Sequence, residues 1–269
     1  MANVNEIISI LDKINSGSLL SFYVPSLKRE LKFKPINAGQ QKTLLKSAID
    51  NPVFQTRFII ATYNIINENI IEKTELPNLN IIDCAAILLQ YRMSVYGEKL
   101  DISLDDILYT VNLNDCVEKF KTIETPIIQA IVNGDISLDI GVPALLDQFF
   151  LEKTSREKHL NDADMVKQTA NISDTLGEAF IGEISKYIKE VTVTIDGVPQ
   201  ALDYKKLSFD KKHAVLEKLP SILVNKTIAY IANVTGVLRK VLQVNGINTE
   251  KNLTSEVEVV IDATLFPIE

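Results

Sequence analysis

The side chains in this chain that could run chemistry are few. They are two histidines (His159 and His213), two cysteines (Cys84 and Cys116), one arginine inside an apolar stretch (Arg92), and an acidic run written twice, Asp-Ile-Ser-Leu-Asp at Asp101–Asp105 and again at Asp135–Asp139. A hydrolytic triad needs a base beside its nucleophile, and only the histidines could be that base. Both sit among Lys and Glu, where hydrated surface residues are found. A zinc site needs ligands in closely spaced pairs, and no two of these four residues are so spaced. The acidic run spaces its oxygens like the first ligands of a calcium loop, but Gly141 falls one place late and no Glu completes the loop. Period-two logic reads it instead as strand, with Ile and Leu inward and Asp and Ser facing water. Neither G-x-G-x-x-G nor G-x-x-x-x-G-K-[ST] occurs, so no phosphate cradle is expected. A guanidinium at Arg92 must be paired or reach solvent, which reads as a structural ion pair or a carbonyl-binding residue, an active-site role being the lesser reading. The residues alone therefore predict no catalytic, cofactor-binding or metal-ligating set.

Composition narrows the classes further. The chain has 269 residues with a formal charge of −7, so no basic face able to neutralise a run of phosphates is implied and nucleic acid is not an expected partner. At 46% hydrophobic and 23% charged it is an ordinary globular composition, large enough to fold without disulfides or metals. The start, Met1-Ala-Asn-Val-Asn-Glu, carries no basic segment followed by an apolar stretch, and no run of about 18 apolar residues is seen, so neither secretion nor membrane spanning is expected. Reduced thiols follow from a cytosolic setting. The sequons at Asn171 and Asn225 are then incidental.

Elements that could position these residues follow from periodicity. Val4, Ile7, Ile8, Leu11 and Ile14 predict a short amphipathic helix ending at Gly17. Residues 19–35 read as a β-hairpin, because Leu31 and Phe33 alternate with Lys32 and Lys34. Asn37 with Gln40 is a capping-box arrangement before Leu44, Leu45, Ala48 and Ile49. Asn51-Pro52 opens a helix carrying Phe54, Phe58, Ala61 and Ile65, Pro77 breaks the chain, and Asn80 caps a helix that Gly97 ends. From Lys99 to about Val142 the pattern reads β-rich. Residues 151–170 are the most polar stretch. Leu176 to Ile188 form a helix stripe leading straight into an alternating strand and an Asp196-Gly197 turn. Ser208 caps one helix, a second follows Pro220, and Val237–Val244 with Ser255–Ile261 read as closing strands around Asn245-Gly-Ile-Asn. The expected class is α+β, with β-hairpins packed with helical bundles in two loosely similar halves. The expected domains are 1–150, a polar helix or linker at 151–172, and 173–269.

Several stretches carry a resemblance. They are Phe22-Tyr-Val-Pro-Ser-Leu, Leu31-Lys-Phe-Lys-Pro-Ile, Gln41-Lys-Thr-Leu-Leu-Lys and Leu89-Gln-Tyr-Arg-Met-Ser-Val-Tyr-Gly-Glu, followed by Leu145-Leu-Asp-Gln, Tyr187-Ile-Lys-Glu-Val, Ser208-Phe-Asp-Lys-Lys, Leu216-Glu-Lys-Leu-Pro and the end containing Phe266. In this order they resemble the baseplate hub subunits and hub-assembly proteins of T-even-type contractile-tailed phages. The resemblance implies no catalytic residues and no cofactor. It implies a protein whose partners are other phage tail and baseplate proteins, without nucleic acid, membrane or small-molecule ligand. Its place would be the virion tail baseplate, or the host cytoplasm during tail assembly. The chain departs in cysteine usage, since only Cys116 falls where the resemblance implies paired cysteines in β-rich segments, so no metal-stabilised loop is expected.

Three readings stay open at this point: a structural or assembly protein of the hub, a transient tail-assembly chaperone absent from the mature virion, and an enzyme or small-ligand module using Arg92 and the Asp-rich strands. The hairpins 19–35 and 237–263 are the expected docking edges.

Overall fold

The computed structural model describes residues 3, 17–49, 56–124, 126, 128–150, 153, 180–248, 250–262 and 265–266. Its class is α+β, as expected, and the described residues form one two-stranded and two four-stranded sheets, all antiparallel. The helix expected at 4–14, the Asn51-Pro52 start with Phe54, and His159 lie outside the described residues.

The chain divides into two compact units, Met1–Glu124 with Leu238–Glu269, and Thr125–Val237. This differs from the division expected at 151–172, of which the structure describes Lys153 alone. The reason lies in strand pairing. Strands from either side of that stretch share one sheet, and the last two strands return to pair with the first unit.

In the first unit, β1 (Leu20–Val24) and β2 (Arg29–Phe33) form the expected hairpin, burying Phe22, Val24, Leu31 and Phe33. The capping box of α1 (Ala38–Ile49) forms as the sequence predicts: the Asn37 N–H donates to Gln40 Oε1 (3.1 Å) and the Gln40 N–H to Asn37 Oδ1 (2.9 Å). Helix α2 (Thr56–Asn69) buries Phe58, Ala61 and Ile65, and Pro77 falls inside a 3-10 turn, Lys73–Asn78. Helix α3 (Ile81–Tyr96) is capped by Asn80 and ends at Gly97, whose φ of +82° a side chain would strain. Phe22, Phe33 and Tyr91 pack as an aromatic trio with centroids 4.7–5.9 Å apart.

Strands β3 (Lys99–Leu104) and β4 (Ile107–Asn112) turn through Asp105 and Asp106, both at positive φ. A helix, α4 (Leu113–Thr122), then interrupts the segment expected to be β-rich. Leu113, Cys116, Val117 and Phe120, at i, i+3, i+4 and i+7, are its buried stripe. The Asn112 side chain caps it by accepting the Asn114 N–H.

In the second unit, β5 (Gln129–Asn133), β6 (Ile136–Ile140), β7 (Ile188–Ile195) and β8 (Val198–Asp203) form one sheet in chain order. The helix-to-strand passage at Tyr187-Ile188 and the Asp196-Gly197 turn fall where expected. Helix α5 (Phe209–Lys218) starts after Ser208, although the Ser208 side chain makes no capping hydrogen bond.

The closing segment corrects two expectations. Residues 237–242 continue α6 (Ser221–Leu242), and Asn245–Asn248 belong to a strand, β9 (Gln243–Asn248), which pairs with β4 and with β10 (Leu253–Glu258). Gly236 alone does not break a helix with so many apolar neighbours. Gly246 marks a close approach, not a turn, since a Cβ there would sit 2.8 Å from Val257 and 2.9 Å from Tyr109. By length and mean hydropathy α6 could cross a membrane, although it holds no unbroken run of 18 apolar residues, and Leu223, Thr227, Tyr230 and Val234 form its buried stripe.

Candidate functional site

Among the described residues, those singled out for chemistry are not gathered into one site. Arg92 is buried, donating from Nη1 to the Gly97 carbonyl (3.2 Å) and from Nη2 to the Lys99 carbonyl (3.3 Å), with its guanidinium 4.6 Å over the Tyr96 ring. It holds the α3–β3 corner, the carbonyl-binding role expected of it. His213 lies 3.5 Å from Glu217 along α5 and tilts against Phe209. Cys84 and Cys116 are free, and burial pushes both thiols up to about 12, away from nucleophilic use.

The two acidic runs lie on different strands. Asp101 accepts the Thr110 hydroxyl across the β3–β4 pair, while Asp105 makes the turn. Leu138 of the second run and the adjoining Ile140 are buried, as period two predicts, but Leu104 of the first is exposed.

The missed residue is Asp83, fully buried at the start of α3. Its Oδ1 accepts the Ser26 N–H (2.8 Å) and its Oδ2 accepts both the Ser26 hydroxyl (2.6 Å) and the Asn80 N–H (2.8 Å). Burial raises its pKa while those hydrogen bonds hold it down. It pins the β1–β2 turn to the helix, which is architecture and not catalysis.

The surfaces expected to dock differ strand by strand. The N-terminal hairpin is not an open edge. Gln90 satisfies both backbone groups of Tyr23 on β1, while on β2 Glu72 accepts the Lys32 N–H and Ile71 donates to the Lys32 carbonyl. The 237–263 hairpin does supply an edge strand, β10, whose exposed Glu256 and Glu258 discourage casual pairing.

The β7–β8 hairpin is different. Every residue of β8 is exposed, an edge strand reached by way of β7. Ile195 pairs with Val198 and Val191 with Leu202, so alternation puts all four on one face of the sheet with Val193. Val191 is buried, whereas Ile195, Val198 and Leu202 are 56%, 55% and 40% exposed. An apolar stripe thus emerges from the core and runs uncovered toward the turn. Pro199 stands opposite Thr194 in a pair that makes no ladder bonds, so its nitrogen faces outward and offers no N–H to an added strand. The face, more than the edge, is available for contact.

A family model described as T4 bacteriophage base plate protein matches residues 19–259. The chain belongs to this family of T4 bacteriophage base plate proteins. Comparison with curated proteins returned no match, and comparison with solved structures returned none. The matched span takes in all the strands of the three described sheets. As a baseplate protein of the T4 family, the chain has a structural role in the virion tail baseplate and interacts with other phage tail proteins.

Proposed function

We propose that the chain is a non-enzymatic component of the baseplate hub of a contractile tail, acting in hub structure or assembly by docking on other tail proteins. The observation that carries this reading is the uncovered stripe Ile195, Val198 and Leu202, three branched aliphatic side chains exposed on one sheet face with Gln200 between the last two. Burying such a row against a partner is worth about 25 cal/mol per Å² of apolar area removed from water. Arg92 and Asp83 support the non-enzymatic part of the reading, since each is committed to backbone or turn groups of the fold. The placement in the hub, in particular, is supported by the resemblance of the Phe22–Leu27, Leu31–Ile36 and Leu89–Glu98 stretches.

The test replaces the stripe without touching the core. A Val198→Glu, Leu202→Lys chain should stay folded and melt within about 0.5 kcal/mol of the parent. It should fail to enter tail particles, as read by peptide mass spectrometry on purified virions, where the parent is found at near-stoichiometric copies. Parent chain absent from finished particles would instead identify a transient assembly factor. Undiminished incorporation of the variant would remove this face from the docking surface.

A further inference from the structure

A second feature of the Thr125–Val237 unit is chemically unlike the apolar stripe. A cleft of about 270 Å³ has among its lining residues the apolar Phe150 and Phe209, the basic Lys205 and Lys212, and Asp147 and Ser208. Beside it lies Lys189, whose side chain is only 11% exposed. Its ammonium makes no hydrogen bond with any described residue, the nearest carboxylate oxygen being Asp147 Oδ2 at 3.8 Å. Among the described residues, Asp147 is the carboxylate that acts on both Lys189 and Lys212, with Asp203 acting on Lys212 as well. The neighbouring Asp203 is already taken by Lys206 at 2.8 Å. Asp210 stands in the first turn of α5, the end of that helix at which the Ser208 hydroxyl makes no capping bond. Lys212 rests over the Tyr204 ring at 5.9 Å, which holds its stem toward the cleft wall.

This is an unbalanced arrangement. A buried ammonium is stabilised by a hydrogen-bonded counter-charge, and Asp147 at 3.8 Å is too distant to supply one. Burial first, and then the charge of Lys205, depress the pKa of Lys189 to about 8; Asp147 pulls the other way, and Lys212 adds a lesser depression. A further carboxylate would correct the imbalance, and the two phenylalanines would cover the apolar residues on either side of it.

We propose that this cleft receives an acidic, apolar-flanked segment of another tail protein, a carboxylate settling among Lys205, Lys212 and Lys189 while an adjacent aromatic or aliphatic side chain packs on Phe150 and Phe209. The proposal rests on the docking reading above and names a partner chemistry for a second surface of the same unit. Charge complementarity selects an acidic segment over a basic or neutral one, and the cleft is sized for one or two side chains.

The experiment uses the full chain and a fluorescein-labelled hexapeptide alternating Glu with Phe and Leu, beside the same peptide with Gln for Glu. Fluorescence anisotropy should show saturable binding of the Glu peptide, at least about tenfold tighter than the Gln peptide and weakening as salt rises. A Lys205→Glu, Lys212→Glu chain with unchanged circular dichroism should lose at least about tenfold in affinity. Lys189→Met, which keeps side-chain volume, should weaken binding without unfolding. Equal affinity for the two peptides, undiminished binding by the charge-reversed chain, or no saturable binding by the parent would each overturn the proposal. Displacement of the peptide by an equimolar amount of inorganic phosphate would overturn it too, by showing a small-anion site. Because the readout is binding by the isolated chain, it is separate from particle incorporation of the β7–β8 variant, and either result can fail alone.

Discussion

Asp83 and Lys189 are both charged side chains withdrawn from water, and the fold treats them oppositely. Three donors from Ser26 and Asn80 converge on Asp83, so its charge is solvated by the protein. Asp83→Asn would set an amide donor against one of those donors, and we expect a loss of about 2–3 kcal/mol by urea denaturation at pH 7. The pKa of Asp83 is raised, so the folded state holds this proton more readily than the unfolded state does. Its contribution to stability is therefore greatest below the ordinary carboxylate range and declines as pH rises through it, a slope that the Asn variant should lack. Lys189 has no such set of partners. Its pKa falls from 10.5 to about 8, so below that value the full cost of burying charge is present, and between about 8 and 10.5 the folded lysine has shed a proton that the unfolded one keeps. Stability should rise with pH across this window. Lys189→Met should accordingly stabilise the chain by about 2 kcal/mol at pH 7, with the advantage shrinking from about pH 8 upward and gone by about pH 10.5 in paired thermal melts.

At the scale of elements, the clearest test is Gly246 in β9. Because Val257 and the Tyr109 Cβ occupy the space a side chain would need, Gly246→Val should destabilise by about 2–4 kcal/mol in chemical denaturation, while Gly236→Ala in α6, where nothing lies within 4 Å, should not. Glycine in a strand is also where the sequence misled, since Asn245-Gly246 reads as a turn until the across-sheet neighbours are known. The same limit hid α4: Leu113, Cys116, Val117 and Phe120 have helical spacing, but alternating residues on both sides drew the segment toward strand. Elements whose information is local were legible. The Asn37–Gln40 box, the Asn80 cap, the Asp196-Gly197 turn and the β1–β2 alternation each depend on neighbours within a few residues. The candidate surfaces were less so. That Gln90 closes the β1 edge, or that Lys189 lies by Asp147, is decided by residues far apart in the chain. Arg92 was readable because an arginine in an apolar helix must find oxygen somewhere, and the nearest carbonyls are those just past the helix end.

For the molecule as a whole, the two units are interlaced in sequence, one being contributed from both ends of the chain and the other from its middle. Strand β4 depends on β9, which arrives only after residue 242, so the first unit cannot complete its sheet until nearly the whole chain is present. A chain ending at Leu242 should leave β4 with β3 as its sole partner, and limited proteolysis should then digest the 99–122 region that the full chain protects. The same interlacing has a mechanical meaning in a baseplate. The middle unit is joined to its host by two covalent crossings, at 124/125 and 237/238, so tension applied to it divides between two strands of backbone, and severing either one leaves it still attached.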